Sequence, residues 1–103
     1  DLTAALASGE ISVRGQRVLE LGCGHALPGI LARSLGASSV VLQDFNEDVL
    51  TDITARNVRA NSGATTSPVT YISGDWGSLA EVLPSESADV VLTAETLYAP
   101  ATA

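Results

Sequence analysis

A chain of 103 residues has the length of one average domain, so a single hydrophobic core is expected. Its formal net charge of −7 repels phosphate backbones and argues against direct nucleic-acid binding. No apolar run approaches the roughly 20 residues that cross a bilayer, and no signal-peptide pattern opens the chain, so no membrane function is expected.

The counts of individual residue types narrow the class of protein. Hydrophobic residues make up 46% of the chain and aromatic residues only 4%, which predicts a core of Val, Leu, Ile and Ala, as in a parallel sheet covered by helices. The single cysteine cannot form an internal disulfide, which favours an intracellular location, cytoplasmic or nuclear. The acidic surface is interpreted either as a source of solubility or as a binding surface for a basic partner. Because the chain contains no Met, we expect a processed product or part of a longer chain.

Helical and strand-like segments alternate along the chain. Residues 2–7 predict one or two helical turns before a strand at 17–21, and a helix then begins near Pro28 and ends at Gly36. A second strand at 40–44 leads into a helix capped by Asn46.

The helix after Asn46 is predicted to bury Val49, Ile53 and Ala60 and to end near residues 61–63. A third strand at 69–72, a short helix around 79–83 and a fourth strand at 89–93 complete the predicted elements.

This alternation predicts an α/β fold, a Rossmann-like parallel sheet with flanking helices and right-handed crossovers. Residues 1–103 then form a single domain or, more in keeping with the pattern, part of one. Four strands leave an apolar edge at the fourth, which normally acquires another strand or a cover. We therefore expect further C-terminal strands to be missing from this chain, and marginal stability for the chain alone.

The first candidate site is the turn from the first strand into the next helix, where Glu20, Gly22 and Gly24 stand at alternate positions. Glycines let the backbone approach a ligand, and a helix N-terminus favours an anionic group. A dinucleotide fingerprint would place its third glycine at position 27, which is Leu27. The turn thus indicates a cofactor site of another kind, the alternative being a simple tight turn.

The second candidate is Asp44, at the end of the second strand and 20 residues after Gly24. An acid at this spacing accepts the hydroxyl protons of a ribose in nucleotide-binding folds. The alternative is an ordinary acid that ends a strand.

Two further groups of residues follow the third and fourth strands. After the third, Gly74 leads to Asp75, which could accept from an adenine amino group, and to Trp76, which offers a flat wall or belongs to the core. After the fourth, Thr93 would face the cofactor, and Glu95 and Tyr98 would project toward an acceptor or lie at the surface. No metal site is predicted.

These groups together resemble the seven-stranded protein methyltransferases of the methyltransferase-like group. That family shares the strings VLELGCG…LPGI, an acid in QDFN, GDW after the third strand and Glu-x-x-Tyr after the fourth. Within it, the chain is most similar to the protein-histidine methyltransferases, whose strings QDYN and LTSETIY are close to QDFN and LTAETLY here. The resemblance covers about residues 1–100.

The resemblance implies a class I fold, S-adenosylmethionine as cofactor and a protein as substrate. It implies site roles in the following order: Glu20, Gly22 and Gly24 at the methionine end, Asp44 and Asn46 at the ribose, Gly74, Asp75 and Trp76 at the adenine, Thr93 under the sulfonium, and Glu95 and Tyr98 on the acceptor side. One departure is Ala26, where a glycine is common.

The reaction itself leaves alternatives open. A histidine acceptor has a pKa near 6.5 and needs no strong base, whereas a lysine acceptor near 10.4 must first lose a proton. His25 and Cys23 are interpreted as loop residues without a catalytic role. A nicotinamide-dependent oxidoreductase and a non-catalytic binding module are the competing classes.

Overall fold

The computed structural model describes residues 2–75, 88–93 and 99–100. The helices and strands occur in this order: α1 Leu2–Ser8, β1 Arg17–Leu21, α2 Leu27–Ser34, β2 Ser39–Asp44, α3 Glu47–Val49, a π-helical turn Leu50–Thr54, α4 Ala55–Ala60, β3 Val69–Ser73, β4 Val90–Thr93 and β5 Ala99–Pro100. The four predicted strands are thus all present, and their bounds differ from the predicted ones by a residue at most.

The strands form one sheet in the order β3-β2-β1-β4-β5. The strands β1 to β4 run parallel, with Val18 of β1 opposite Val40 on one side and Val90 on the other. This confirms the predicted Rossmann-like parallel sheet with flanking helices. Because the chain runs outward from β1 to β3 and then returns to the other side of β1, the strand order reverses beside β1, where ligands bind in open α/β sheets.

The strand β5 corrects one expectation drawn from the sequence. It pairs antiparallel with β4, with Ala99 opposite Val91 and Pro100 opposite Val90. The sequence predicted that the fourth strand has an unpaired edge, and this prediction is wrong for Val90 and Val91. A two-residue strand that contains Pro carries almost no propensity signal, because Pro lacks an amide donor and tolerates only edge positions.

The core is aliphatic, as the low aromatic content predicts. Its members come from one face of the sheet, from the helices and from the loops beside them, and they are fully or almost fully buried: Leu6, Ile11, Val13, Val18, Ala32, Ala37, Val40, Leu42, Leu50, Val58 and Leu92. No helix in the described part of the chain is long and apolar enough to span a membrane.

The helix after β2 begins as predicted. The Asn46 side chain accepts a hydrogen bond from the backbone N–H of Asp48 at 2.8 Å, which satisfies one of the free donors of the first turn.

The buried face of this helix differs from the predicted one. Ile53 is 37% exposed and Ala60 is also exposed, whereas Leu50, Thr54 and Val58 are buried. The inward positions thus recur every fourth residue and start one residue later than the predicted set. The π-helical turn Leu50–Thr54 puts Thr54, a polar residue that the apolar pattern could not indicate, on the inward face.

An ion pair lies at the amino ends of the strands β1 and β4. The Arg17 side chain donates to both carboxylate oxygens of Asp89, at 2.8 and 3.1 Å, and Asp89 also accepts from the Arg17 backbone N–H at 2.8 Å. These bonds lower the pKa of Asp89 to about 2. They join β1 to the start of β4 without involving the candidate site.

Candidate functional site

The carboxyl ends of the parallel strands meet at one edge of the sheet, and this edge carries the residues that the sequence singled out. Gly22 and Gly24 follow β1, Asp44 ends β2, Gly74 follows β3 and Thr93 ends β4. Their assembly on one edge follows from the parallel order, since parallel strands all end on the same side.

The loop between β1 and α2, residues 22–26, is called the glycine loop below. Its backbone is left-handed at alternate residues. The φ angles are 59° at Gly22, 50° at Gly24 and 65° at Ala26. A Cβ built on Gly22 or Gly24 would meet nothing within 4 Å, so the space above the loop is open. Backbone strain rather than crowding therefore favours glycine at these two positions, and the open space is available to a ligand.

Ala26 explains why a glycine is common at its position. It adopts the left-handed conformation that L-residues disfavour, and it caps α2 while its side chain is only 1% exposed. The burial of its methyl group offsets part of the cost of this conformation.

The end of β2 orients the N–H groups of the loop. The Gly22 N–H donates to Oε1 of Gln43 at 2.8 Å, and the Cys23 N–H donates to the backbone carbonyl of Gln43 at 2.8 Å. The Gly24 N–H donates to Oδ2 of Asp44 at 3.0 Å. Three consecutive donors of the loop are thus satisfied by two residues of a neighbouring strand.

The helix after β2 binds the carbonyl groups of the same loop. The buried hydroxyl of Thr54 donates to the carbonyl of Gly24, and the side-chain amide of Asn57 donates to the carbonyl of His25 at 3.0 Å. Both the N–H groups and the carbonyl groups of the loop are therefore held in place by hydrogen bonds within the protein. The His25 side chain is exposed, in keeping with its interpretation as a loop residue.

Asp44, which was predicted to contact a ribose, ends β2 beside the glycine loop. Its Oδ2 accepts from Gly24 and its Oδ1 accepts from the Asn46 N–H at 3.1 Å. A carboxylate oxygen has more than one acceptor position, so both oxygens retain capacity for the vicinal hydroxyls of a ribose. Asn46 is exposed, and its side-chain oxygen caps the helix, so its predicted ribose contact would use the amide nitrogen.

Glu20 lies in β1, and its carboxyl group is buried against the first turn of α2. It is 1% exposed, and its Oε1 accepts from the Gly29 N–H in the first turn of α2 at 2.9 Å. Burial raises the pKa of Glu20 to about 7, and the bond from Gly29 opposes the rise. Its predicted place at the methionine end of a cofactor stays a prediction, and its hydrogen bond joins β1 to the first turn of α2.

Gly29 performs a packing function that the sequence analysis missed. A Cβ at this position would lie 2.6 Å from Cδ2 of Leu42 and 2.8 Å from Oε1 of Glu20. In a dinucleotide fingerprint the third glycine provides this close approach of helix to strand. Here the glycine stands two residues later than in the fingerprint, and its signal in the sequence was a glycine inside a predicted helix.

Gln43 is the second residue whose importance the sequence analysis missed. Its side chain is completely buried, and its Nε2 donates to the carbonyl of Gly74 at 2.6 Å while its Oε1 binds the glycine loop. The available signal was a polar residue directly before Asp44 in an otherwise apolar strand.

Cys23 is buried within the same region, and burial raises the pKa of its thiol to about 12. The thiol therefore stays protonated at neutral pH, which agrees with the absence of a predicted nucleophilic role.

The structure describes two of the five remaining predicted site residues. Thr93 is half-buried at the end of β4 and Asp75 is exposed after Gly74. Trp76, Glu95 and Tyr98 lie outside the described residues, so their predicted roles stay predictions. Within the described ranges, no group of three or more His, Cys, Asp or Glu side chains could hold a metal ion.

Together, the strand order, the open glycine loop and the acid that ends β2 define the class I S-adenosylmethionine-dependent methyltransferase fold. The sequence model of a family described as lysine methyltransferase matches residues 2–103, and the chain belongs to this family. The predicted resemblance to the methyltransferase-like group is thereby confirmed.

Individual proteins support the same assignment. The chain is 43% identical over 98 residues to a histidine protein methyltransferase 1 homolog of Dictyostelium discoideum, a match that covers 95% of this chain and 31% of the relative. It is 35% identical to the protein N-lysine methyltransferase METTL21A of Danio rerio, over 90% of this chain and 42% of the relative. The chain thus spans between about a third and two fifths of the length of these relatives.

Among solved structures, the crystal structure of an S-adenosylmethionine-dependent methyltransferase from Mesorhizobium loti superposes with a TM-score of 0.64. The two sequences are 32% identical, and the match covers 87% of this chain and 37% of the other.

Proposed function

We propose that this chain binds S-adenosylmethionine and forms the cofactor-binding part of a protein-histidine N-methyltransferase. The observation that carries the proposal is the open space above Gly22 and Gly24 beside the Asp44 carboxylate, at the point where the strand order reverses. A nucleoside with an amino-acid tail fits this combination, because the carboxylate suits its ribose hydroxyls and the loop admits its tail.

The same features disfavour a nicotinamide dinucleotide. Of the first N–H groups of α2, Gly29 donates to the buried Glu20 carboxyl, and Pro28 has none to donate. An anionic pyrophosphate would therefore find a carboxyl group where dinucleotide-binding folds present free backbone donors.

When bound, S-adenosylmethionine supplies a methyl group on a positively charged sulfur. The chain's own contribution is to bind and align: Asp44 accepts the ribose hydroxyls, the glycine loop holds the tail, and Thr93 lies beneath the reacting centre. In this proposal an unprotonated imidazole nitrogen of the substrate would accept the methyl group of the bound cofactor, the carbon–sulfur bond would break to leave S-adenosylhomocysteine, and the ring would lose its other proton to solvent. Glu95 orients that ring, with Tyr98 packing against it.

Histidine is proposed as the acceptor because the 43% identical relative is a histidine protein methyltransferase homolog. Lysine is the second candidate, since the matching family is described as lysine methyltransferase and a 35% identical relative is an N-lysine methyltransferase. The protein substrate is proposed to be basic, because the chain has a net charge of −7. The single free cysteine, which is buried, supports a cytoplasmic or nuclear location.

The test is transfer of a radiolabelled methyl group to basic proteins, run with this chain and with the full-length gene product. Hydrolysis of the labelled protein and separation of the methylated amino acids identifies the acceptor. We expect methylhistidine, and Glu95→Ala in the full-length product should abolish transfer while leaving cofactor affinity unchanged. Methyllysine would establish the second candidate, and cofactor binding without transfer by either protein would indicate a binding module.

A further inference from the structure

Gln43 connects two loops that lie on either side of β2. Its Oε1 accepts from the Gly22 N–H at 2.8 Å, and its Nε2 donates to the Gly74 carbonyl at 2.6 Å. The side chain is 0% exposed, so solvent cannot replace either bond. This one side chain therefore joins the glycine loop directly to the turn after β3.

We propose that Gln43 is a positioning residue that sets the spacing between the methionine and adenine ends of the cofactor site. The proposal rests on the proposed function, since it concerns the same cofactor. It adds a residue that acts through Gly22 and Gly74 and need not touch the ligand.

The chemistry of these contacts requires a primary amide. One end must accept a hydrogen bond and the other must donate one, and among side chains of this length only Gln offers both at neutral pH. A carboxylate of the same shape can accept from Gly22 but presents a second acceptor to the Gly74 carbonyl. An apolar side chain offers neither bond.

Backbone hydrogen bonds also attach each of the two loops to β2. The Cys23 N–H donates to the Gln43 carbonyl at 2.8 Å, and the Gly74 N–H donates to the Asp44 carbonyl at 3.1 Å. Each loop is therefore joined to β2 by its backbone as well. The amide of Gln43 is the element that spans from one loop to the other.

The variant Gln43→Glu distinguishes a positioning role of Gln43 from a role in the stability of the fold alone. Above the pKa of the introduced carboxyl, its second oxygen repels the Gly74 carbonyl and the two loops move apart. On protonation the carboxyl donates to Gly74 and restores the spacing. Burial raises the pKa of such a group, so the change falls within the accessible pH range.

Other ionisable groups lie on the elements next to this position. They are Glu20 on β1, Cys23 in the glycine loop, Asp44 on β2 and Asp75 after β3. All of them are present in the wild type too, so the ratio of the variant's dissociation constant to that of the wild type at each pH removes the part of their titration that the substitution leaves unchanged.

The experiment is calorimetric titration of S-adenosylhomocysteine into the full chain at pH 5.5 and pH 8. At pH 8 the variant should bind about tenfold more weakly than the wild type, the size of one lost buried hydrogen bond, and at pH 5.5 the difference should fall to about twofold. Gln16→Glu adds the same charge in the loop before β1, at the opposite end of the sheet, and should show a ratio near one at both values.

Gln43→Met keeps the length of the side chain and removes both bonds. We expect this variant to weaken binding at both pH values to a similar extent. It provides the test of the proposal if the glutamate variant does not fold at pH 8. A ratio for Gln43→Glu that is the same at both pH values would overturn the proposal, as would unchanged affinity in Gln43→Met. Failure of the wild type to bind at all would instead overturn the proposed function.

Discussion

At the scale of single residues, the buried carboxyl group of Glu20 links the stability of the fold to pH. It is 1% exposed, has one hydrogen bond from Gly29 and has a pKa of about 7 against an ordinary value of 4.5. Because the folded state binds the proton more tightly than the unfolded state, protonation stabilises the fold. This contribution is fully present below about pH 4.5 and is lost as the pH rises through about 7.

We therefore predict that the free energy of unfolding falls by about 2 to 3 kcal/mol between pH 4.5 and pH 8, the order expected from such a shift. Glu20→Gln keeps an acceptor for Gly29 and cannot ionise, so it should remove most of this fall. Urea denaturation of both proteins at several pH values measures it. Asp89, with a pKa of about 2, does not titrate in this window. Equal slopes in the two proteins would contradict the assignment.

Gly29 shows how tightly α2 packs on the sheet. Because an added Cβ would lie 2.6 Å from Leu42 and 2.8 Å from Glu20, Gly29→Ala should destabilise the fold by about 1 to 3 kcal/mol, as overpacking does. The matched control is Ser34→Ala in the same helix, where the side chain is exposed and the expected change is within about 0.5 kcal/mol. Equal melting temperatures for Gly29→Ala and wild type would show that the packing is looser than described.

Individual residues also show how far sequence reasoning reaches, since the structure places Gly22, Gly24 and Asp44 at one edge of the sheet while their cofactor contacts stay predictions. Gly22, Gly24 and Asp44 were predicted because a strand, glycines and an acid recur at a spacing that has a physical explanation. Gln43 and Gly29 were missed because their importance depends on what lies beside them in three dimensions. A buried amide is recognisable only when both of its partners are known.

At the scale of elements, the helix after β2 has a second function beyond covering the sheet. Its π-helical turn brings the Thr54 hydroxyl to the carbonyl of Gly24, and α4 brings Asn57 to the carbonyl of His25. Thr54→Val keeps the shape but leaves the Gly24 carbonyl without this donor, which costs about 1 to 3 kcal/mol when the group is buried.

We predict that Thr54→Val lowers the free energy of unfolding by that amount and weakens binding of S-adenosylhomocysteine. Thr51→Val is the matched control, because Thr51 lies in the same turn with its side chain exposed and should change both quantities little. Thermal melts and calorimetric titration of the two variants give the comparison. Similar behaviour of the two would show that the hydroxyl of Thr54 does not support the loop.

This helix also marks a limit of sequence prediction. Its cap at Asn46 was predicted correctly from a local rule, since the bond to Asp48 involves neighbouring residues. Its inward face was predicted one residue out of phase, because apolar periodicity cannot show that a threonine points inward to bind a distant loop.

At the scale of the whole molecule, the alternation of strands and helices sufficed to predict a parallel sheet, because parallel neighbours need crossover helices. The pairing of β5 with β4 was not predicted, since two residues that include Pro100 have no strand signal of their own. The resemblance in Gly22, Gly24 and Asp44 then identified the family more specifically than the fold alone. The fold positions the cofactor edge, and the acceptor's identity depends on residues that the described structure does not include.

The central claim is that the edge formed by the glycine loop and Asp44 binds S-adenosylmethionine. Calorimetric titration of the full chain with S-adenosylhomocysteine, beside Asp44→Ala and beside titration with NAD⁺, tests it most directly. We predict saturable binding to the wild type, at least about tenfold weaker binding to Asp44→Ala because two ribose hydrogen bonds are lost, and no binding of NAD⁺. Equal affinity of the two proteins for S-adenosylhomocysteine, or tighter binding of NAD⁺, would contradict the account.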